Sequence, residues 1–266
     1  MTSSIPFKIG QSVWASVVAV SCFVAVVQLQ TPRLEKLRTG DSLNTPEVLK
    51  RETAADKQRL QLWQKVPGFG FDNLVADWIF LQFVQYFGDE NARDVTGYQN
   101  SPDYFDTIIN RDPKFLYPYF YLSTSVAGYL GMPEKSIALM NEGLKSVSPK
   151  VPDRAYYIWR YKGLDELLYL GDGKTAQKSF AKATEWARQY SDDESRNFAE
   201  ISQASADFLA RNPASKIAQV GNWEIVLRSA VDKRTRDRAI REIQRLGGKV
   251  NISPEGQLTI TLPKQD

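Results

Sequence analysis

The side chains present in this sequence limit the chemistry that the chain can perform. It contains no histidine and a single cysteine, Cys22, which lies inside an apolar stretch. Catalysis by Ser-His-Asp or Cys-His arrangements, zinc or haem binding through imidazole, and histidine-based proton switching are therefore excluded. With one cysteine, the chain can form neither an intrachain disulfide nor a metal site built from several cysteines. Any chemistry must depend on carboxylates, amines, hydroxyls and aromatic rings.

Carboxylates provide two candidate sites. Asp192, Asp193 and Glu194 are consecutive and could bind a hard cation, but three acids at a helix start also fit capping and the helix dipole, which we favour. A hydrolytic acid pair is the second candidate, with Asp77 or Glu166 as a member, and it requires two buried or closely spaced carboxylates. Glycine-rich phosphate loops and serine-nucleophile motifs do not stand out. We predict no catalytic residue, no metal and no cofactor.

A run of basic residues lies near the end of the chain, with two interpretations. Its members are Arg228, Lys233, Arg234, Arg236, Arg238, Arg241, Arg245 and Lys249. The run could contact anionic lipid headgroups. Asp237 and Arg241 at i, i+4 instead favour an ordinary solvated helix face. The net charge of +3 is too small to indicate nucleic acid, and we predict no nucleic-acid partner.

Aromatic residues are dense at 115–121 and 156–161. Part of this set must fill a core. The remainder alternates with Arg160, Lys162 and Ser125, and a mixture of tyrosine, tryptophan and arginine is typical of recognition surfaces. The aromatic segments therefore indicate binding of a partner rather than of a small-molecule substrate.

Apolar periodicity predicts helices in almost every segment beyond residue 70. Phe80, Phe83, Val84 and Phe87 recur at helical spacing and predict a buried face. Trp78 falls among polar residues on the opposite side of the same helix. Recognition of a partner and packing against a neighbouring helix both explain that position.

The helices follow one another in pairs. A helix over 114–130 precedes one that begins near Pro133, and a helix over 153–170 precedes one that begins near Lys174. Each pair is joined by Leu-Gly. Recurrence of helix, Leu-Gly turn and helix is typical of helical-hairpin repeats, in which each unit buries its apolar face against its neighbours. The sequence predicts an all-α fold.

These segments resemble the tetratricopeptide-repeat family, across about residues 71 to 190. The matching positions of the clearest unit are Trp159, Gly163, Leu170, Gly171, Ala176, Phe180 and Ala183. In the preceding unit Ser136 and Gly143 supply the small residues at the helix crossing. With its apolar N-terminal segment, the chain also resembles uncharacterised bacterial anchored repeat proteins.

The resemblance implies a site. In this family the first helix of each hairpin lines a concave groove that holds a peptide or a partner helix. The groove residues that the resemblance implies are Trp78, Gln85, Tyr121, Ser125, Tyr157 and Arg160. It therefore implies a protein partner.

An apolar stretch covers residues 13–29, and Pro32 is expected to end it. About 17 to 20 apolar residues suffice to cross the hydrocarbon layer as a helix, so we predict an uncleaved transmembrane helix at 12–30 and a single-pass membrane protein. A secretory signal cleaved near residues 19–21 and a lipid attachment at Cys22 are the alternatives.

Charges beside this stretch bear on orientation. Lys8 precedes it, whereas Arg33, Lys36 and Arg38 follow it. Counting charges places the large domain in the cytoplasm, but long translocated domains override this bias, so the side remains undetermined.

The remaining boundaries follow from caps and turns. Thr45, Pro46 and Glu47 predict a helix over 46–65. Alternation around a Pro-Glu-Gly turn predicts a β-hairpin near the end of the chain. The predicted organisation is an N-terminal tail (1–11), a transmembrane helix (12–30), a charged, partly helical linker (31–70), tetratricopeptide-like repeats (71–213), capping helices (214–247) and a β-hairpin tail (248–266).

Two functional hypotheses follow from these patterns. The first is a non-enzymatic, membrane-anchored scaffold that captures a protein segment during assembly or maturation of a membrane protein complex, such as a photosystem or a secretion assembly; its partner would be a subunit of that complex. The second is an enzyme or an envelope-polymer (glycan) binder that uses carboxylates in the groove.

Overall fold

The computed structural model describes residues 9–39, 45–230, 233–252 and 258–264. The chain forms two compact units, Met1–Glu52 and Thr53–Asp266. Within the described residues the fold is mostly helical and includes one two-stranded sheet. The predicted all-α fold class is confirmed at this level.

The first unit contains helix α1, Ile9–Thr39. The apolar stretch at 13–29 is not a helix of its own, because α1 continues through Pro32 and includes the charged residues Arg33, Glu35 and Lys36. Among the described residues, none of the helices combines the length and the apolar character needed to cross a membrane. The predicted transmembrane helix at 12–30 and the predicted single-pass membrane location are therefore wrong.

Helix α2 covers Pro46–Lys65. The side chain of Thr45 accepts a hydrogen bond from the backbone N–H of Val48 at 3.4 Å, and proline is favourable at the first helical position because it has no N–H to satisfy there. The helix predicted over 46–65 is confirmed.

The second unit is built from ten further helices and a hairpin within the described residues. The helices are α3 (Asp72–Gly88), α4 (Glu90–Thr96), α5 (Ser101–Arg111), α6 (Tyr117–Leu122), α7 (Pro133–Leu144), α8 (Tyr156–Leu168), α9 (Gly173–Ala187), α10 (Asp193–Arg211), α11 (Lys216–Ser229) and α12 (Lys233–Arg245). A π-helical segment, Ser123–Tyr129, continues α6. Packing follows chain order, since α3 packs on α5, α5 on α7, α7 on α8, α8 on α9, and α9 on α10.

An aromatic core fills the first half of this unit. Phe83 of α3 is fully buried, and the centroid of its ring lies 4.6 Å from the ring centroid of Phe105 on α5. Phe80 and Phe87 pack against the same cluster. Val84, predicted on this buried face, is instead 41% exposed.

The C-terminal helices surround a separate cluster centred on Trp223 of α11. Ala239 and Ile243 of α12 belong to it, and Val250 of the hairpin packs against it. Strands β1 (Lys249–Ile252) and β2 (Leu258–Thr261) pair in antiparallel register, which confirms the predicted hairpin. Its predicted Pro-Glu-Gly turn lies outside the described residues. Packing on α12 supplies the support that an isolated two-stranded hairpin lacks.

Glycines allow the closest helix contacts. A Cβ on Gly163 of α8 would lie 2.7 Å from the ring of Phe180 on α9. At the start of α9, a Cβ on Gly173 would lie 2.0 Å from the carbonyl oxygen of Pro213, in the connection between α10 and α11. That neighbour is backbone and cannot rotate away as a side chain does.

We expect Gly173→Ala to destabilise the protein by about 1–3 kcal/mol, because the added methyl group overlaps a backbone carbonyl. Urea unfolding measures the change. Gly221→Ala is the matched control, since a Cβ there meets nothing within 4 Å and alanine is the better helix former by up to about 1 kcal/mol. Equal stability of Gly173→Ala and the native chain would show that this contact is looser than described.

Candidate functional site

A cavity of about 680 Å³ lies between the π-helical segment, α8, α11 and α12. The side chains of Tyr129, Tyr161, Tyr169 and Trp223 supply its aromatic lining, beside aliphatic residues such as Leu164. Sites of about 300–1,000 Å³ with apolar walls and a few polar groups are typical of ligand binding. This cavity is the strongest candidate site in the described part of the chain.

Three arginines of α12 also line the cavity: Arg234, Arg238 and Arg241. Their i, i+4, i+7 spacing places them on one helix face, and we call them the arginine row. The guanidinium group of Arg238 lies 4.8 Å from the ring centroid of Tyr169 and donates to the carbonyl oxygen of Ala127 at 3.3 Å. Arg238 therefore fastens α12 to the π-helical segment.

The arginine row differs from the neighbouring cations in its ion pairing. The neighbouring pairs are Arg228 with Glu224, Lys233 with Asp237, and Arg245 with Glu242. Within the described ranges, no carboxylate lies within ion-pair distance of the arginine row. The basic run thus contains three paired cations and three arginines that line the cavity, whereas Arg236 and Lys249 belong to neither group.

Trp223 forms a buried wall of the cavity. It is 1% exposed, and its ring packs edge-on against Tyr169 with centroids 5.3 Å apart. Its indole N–H has no hydrogen-bond acceptor among the described residues. A buried donor without an acceptor is uncommon in native structures.

A buried carboxyl group lies behind the cavity. Asp165 of α8 accepts hydrogen bonds from Ser123 of the π-helical segment and from Ser136 of α7, the latter at 2.6 Å. Burial raises the pKa of Asp165 from 3.8 to about 7, the two serine hydrogen bonds oppose this rise, and the nearby Glu166 adds to it. Because Ser123 also lines the cavity, this titrating group is one residue removed from the site.

Glu166, a predicted member of an acid pair, makes different contacts from its neighbour Asp165. It forms a buried ion pair with Lys162, one helical turn earlier. Ser179 of α9 donates to Glu166 Oε2 at 2.6 Å and accepts from Lys162 Nζ at 3.1 Å. Asp77, the other predicted member, is exposed on α3. Neither Glu166 nor Asp77 lines the cavity.

The six predicted groove residues lie on α3, α6, the π-helical segment and α8, and they differ in exposure. On α3, Trp78 is 54% exposed and Gln85 is also exposed. Tyr121 packs against Phe80, with their ring centroids 5.7 Å apart. Ser125 is fully buried and donates to the carbonyl oxygen of Tyr121 at 2.8 Å.

The other two predicted groove residues, Tyr157 and Arg160, both contact α10. The Tyr157 hydroxyl donates to Glu194 Oε1 at 2.6 Å, and Arg160 donates to Ser205 Oγ at 3.1 Å. Burial lowers the pKa of Arg160 to about 10. Within the described chain, none of the six predicted residues lines the cavity.

The acidic trio at the start of α10 behaves as the capping interpretation predicts. Asp192 accepts from the backbone N–H of Ser195 at 3.0 Å, and Asp193 and Glu194 occupy the first turn. Glu194 also pairs with Arg154. These contacts account for the trio without a cation.

The sequence analysis did not identify Tyr169 or Trp223, and it assigned Arg234, Arg238 and Arg241 to a basic run on a solvated helix face, because α11 and α12 were expected to cap the helical stack. The available signal was the spacing of Arg234, Arg238 and Arg241, which places the three on one face of α12. The periodicity does not show which neighbour that face contacts.

Comparisons with protein-family models, curated proteins and solved structures find no match. The resemblance to tetratricopeptide repeats therefore stays a prediction. The shape, charge and packing of the cavity are the basis for the functional argument.

Proposed function

We propose that this chain is a non-enzymatic binding module, in which the cavity between the π-helical segment, α8, α11 and α12 holds a segment of a partner protein. The observation that carries the proposal is the lining of that cavity. It combines Tyr161, Tyr169 and Trp223 with the arginine row, and tyrosine, tryptophan and arginine contribute most to binding energy at protein interfaces.

The helix order supports a tetratricopeptide-like arrangement as part of this proposal. Neighbouring helices pack in sequence, and the small residue Gly163 permits close contact with Phe180 of the next helix. In such an arrangement the π-helical segment and α8 belong to the first helices of two successive hairpins, which is the side where the resembled family binds its partners. The proposed site uses Tyr161 and Leu164 of α8 in place of the predicted Tyr157 and Arg160.

The chemistry of the lining favours binding over hydrolysis. Glycoside hydrolysis usually needs two carboxylates about 5–9.5 Å apart across the scissile bond. The cavity is lined by one carboxylate in the described residues, Glu242, and this group pairs with Arg245. The buried Asp165 and Glu166 are occupied by serine and lysine contacts.

Site-specific photocrosslinking tests the proposal. A photoreactive amino acid at Thr124, which is exposed and lines the cavity, is expected to crosslink in cells to one defined segment of a partner. A synthetic peptide of that segment should compete with the crosslink. The matched control is the same amino acid at Asn141, an exposed position on α7 outside the cavity lining. Equal labelling from both positions, or no competition by the peptide, would refute the proposal.

A further inference from the structure

We propose that the segment bound in the cavity is acidic, with at least two carboxylates on either side of a bulky apolar side chain. This inference rests on the proposed protein-binding function and specifies the chemistry of the partner. Its basis is the arginine row and the apolar wall of Tyr161, Leu164, Tyr169 and Trp223, which line the same cavity.

The charge of the cavity lining favours an acidic segment. Arg234, Arg238 and Arg241 line the cavity without an ion-paired carboxylate in the described chain, whereas the lining acid Glu242 pairs with Arg245. Guanidinium groups bind carboxylates in a bidentate manner, and partial enclosure strengthens such hydrogen bonds relative to open solvent. The lining therefore has three arginines and one carboxylate, and although Asp237 on the same helix interacts electrostatically with Arg241, an acidic segment would neutralise the remaining positive charge.

The distance between Arg234 and Arg241 determines how far apart the acidic residues of the segment must be. The Cα atoms of Arg234 and Arg241 are separated by two helical turns, about 10 Å at 1.5 Å per residue. An extended peptide advances about 3.3 Å per residue. Because alternate side chains share a face, two acids four positions apart, about 13 Å, with an apolar residue midway between them would reach both outer arginines through their long side chains.

Apolar and aromatic side chains line the cavity between the outer arginines. Between the outer arginines, Arg238 is held against Tyr169 and Trp223, and Tyr161 and Leu164 line the cavity from α8. A bulky apolar side chain between the two carboxylates would contact this wall.

These features favour an acidic peptide over a nucleic acid or an anionic lipid surface. A nucleic-acid strand has a charged group at every nucleotide and is bound by cations that follow its length. In this chain the cations beside the arginine row, among them Lys233 and Arg245, already pair with neighbouring acids. A lipid surface could reach the exposed Arg234 and Arg241 but would leave the aromatic lining at Tyr161, Tyr169 and Trp223 without a contact.

The test is selection of peptides from a random display library on the full chain, followed by fluorescence anisotropy with the selected peptides. The cavity variant is Arg234→Gln with Arg241→Gln. Both side chains are exposed, so the fold should persist, and Arg238 is left in place because it packs on Tyr169. The matched control is Lys233→Gln with Arg236→Gln, which removes the same charge from the same helix outside the cavity lining.

We expect the selected peptides to contain paired acids around an aromatic or aliphatic residue. The cavity variant should weaken their binding at least about tenfold, and the control less than about twofold. Replacing the peptide acids by their amides should reproduce the loss.

Each other result overturns the inference. Selection of neutral or basic peptides that crosslink at Thr124, or equal binding of the acid and amide forms, would refute the acidic preference and leave the protein-binding function standing. Binding of anionic vesicles or single-stranded nucleic acid in place of peptides, with the same dependence on Arg234 and Arg241, would assign the cavity to that ligand. If no peptide is selected and Thr124 crosslinks to no protein, both proposals fail.

Discussion

Lys162→Met is expected to lower the free energy of unfolding by about 3–5 kcal/mol. Lys162 and Glu166 form an ion pair whose side chains are 9% and 3% exposed. Removing the lysine leaves the glutamate charge buried with only Ser179 as a donor, and an uncompensated buried charge costs about this much. Urea or thermal unfolding at neutral pH measures the loss.

The double variant separates this explanation from ordinary loss of packing. Lys162→Met combined with Glu166→Gln removes both charges and keeps an acceptor for Ser179, so most of the lost stability should return. Lys182→Met is the surface control, because Lys182 pairs with Glu185 in the open and should change stability by less than about 1 kcal/mol. Additive losses in the double variant would contradict the buried-charge explanation.

Asp165→Asn is expected to remove a pH dependence that the native chain shows between about pH 4 and pH 7. The folded-state pKa of Asp165 is about 7 against an ordinary value of 3.8, so the folded protein binds more protons than the unfolded chain in this window. Native stability should therefore fall as pH rises through it, by up to about 4 kcal/mol. The amide does not titrate, so this variant should be the more stable form at pH 8.

Unfolding curves from pH 4 to pH 8 test this expectation. The amide fits the site because its oxygen accepts one serine hydroxyl and its NH₂ donates to the other after that hydroxyl rotates. Asp94→Asn, the same change at an exposed position on α4, should leave the shape of the curve unchanged. Parallel curves for the native chain and Asp165→Asn would show that Asp165 stays charged.

The sequence predicted the helices and the hairpin that depend on residues close together in the chain. The N-cap at Thr45 followed by Pro46 predicts α2 with its observed ends. Alternating residues around a turn predict the β-hairpin. Helical spacing around Phe83 predicts a buried face of α3, although Val84 on that face is 41% exposed.

The site could not be predicted from the same signals because it depends on tertiary packing. Spacing shows that Tyr157 and Arg160 share a part of α8, but it does not show that α10 covers them. Spacing likewise places Arg234, Arg238 and Arg241 on one face of α12 without showing that this face meets the π-helical segment. The irregular helix at Ser123–Tyr129, which brings Ser123 to Asp165, has no distinctive local sequence.

The apolar stretch near the N-terminus shows a different limit. Residues 13–29 satisfy a simple length rule for membrane crossing, but Pro32 does not end α1. Proline disfavours a helix only through the missing N–H and the clash with the preceding turn, and a long helix can continue across it. The expected end at Pro32 is therefore wrong, and among the described residues none of the helices is long and apolar enough to cross a membrane.

The hydrogen bond from Arg238 to Ala127 joins positions 111 residues apart, and this separation affects the order of events during synthesis. The helices up to α9 can leave the ribosome and pack on one another before α12 has been translated. The wall that contains the arginine row is added only afterwards. A nascent chain therefore has most of its helical core before it has a site, and a partner can be captured only once translation has passed Arg241.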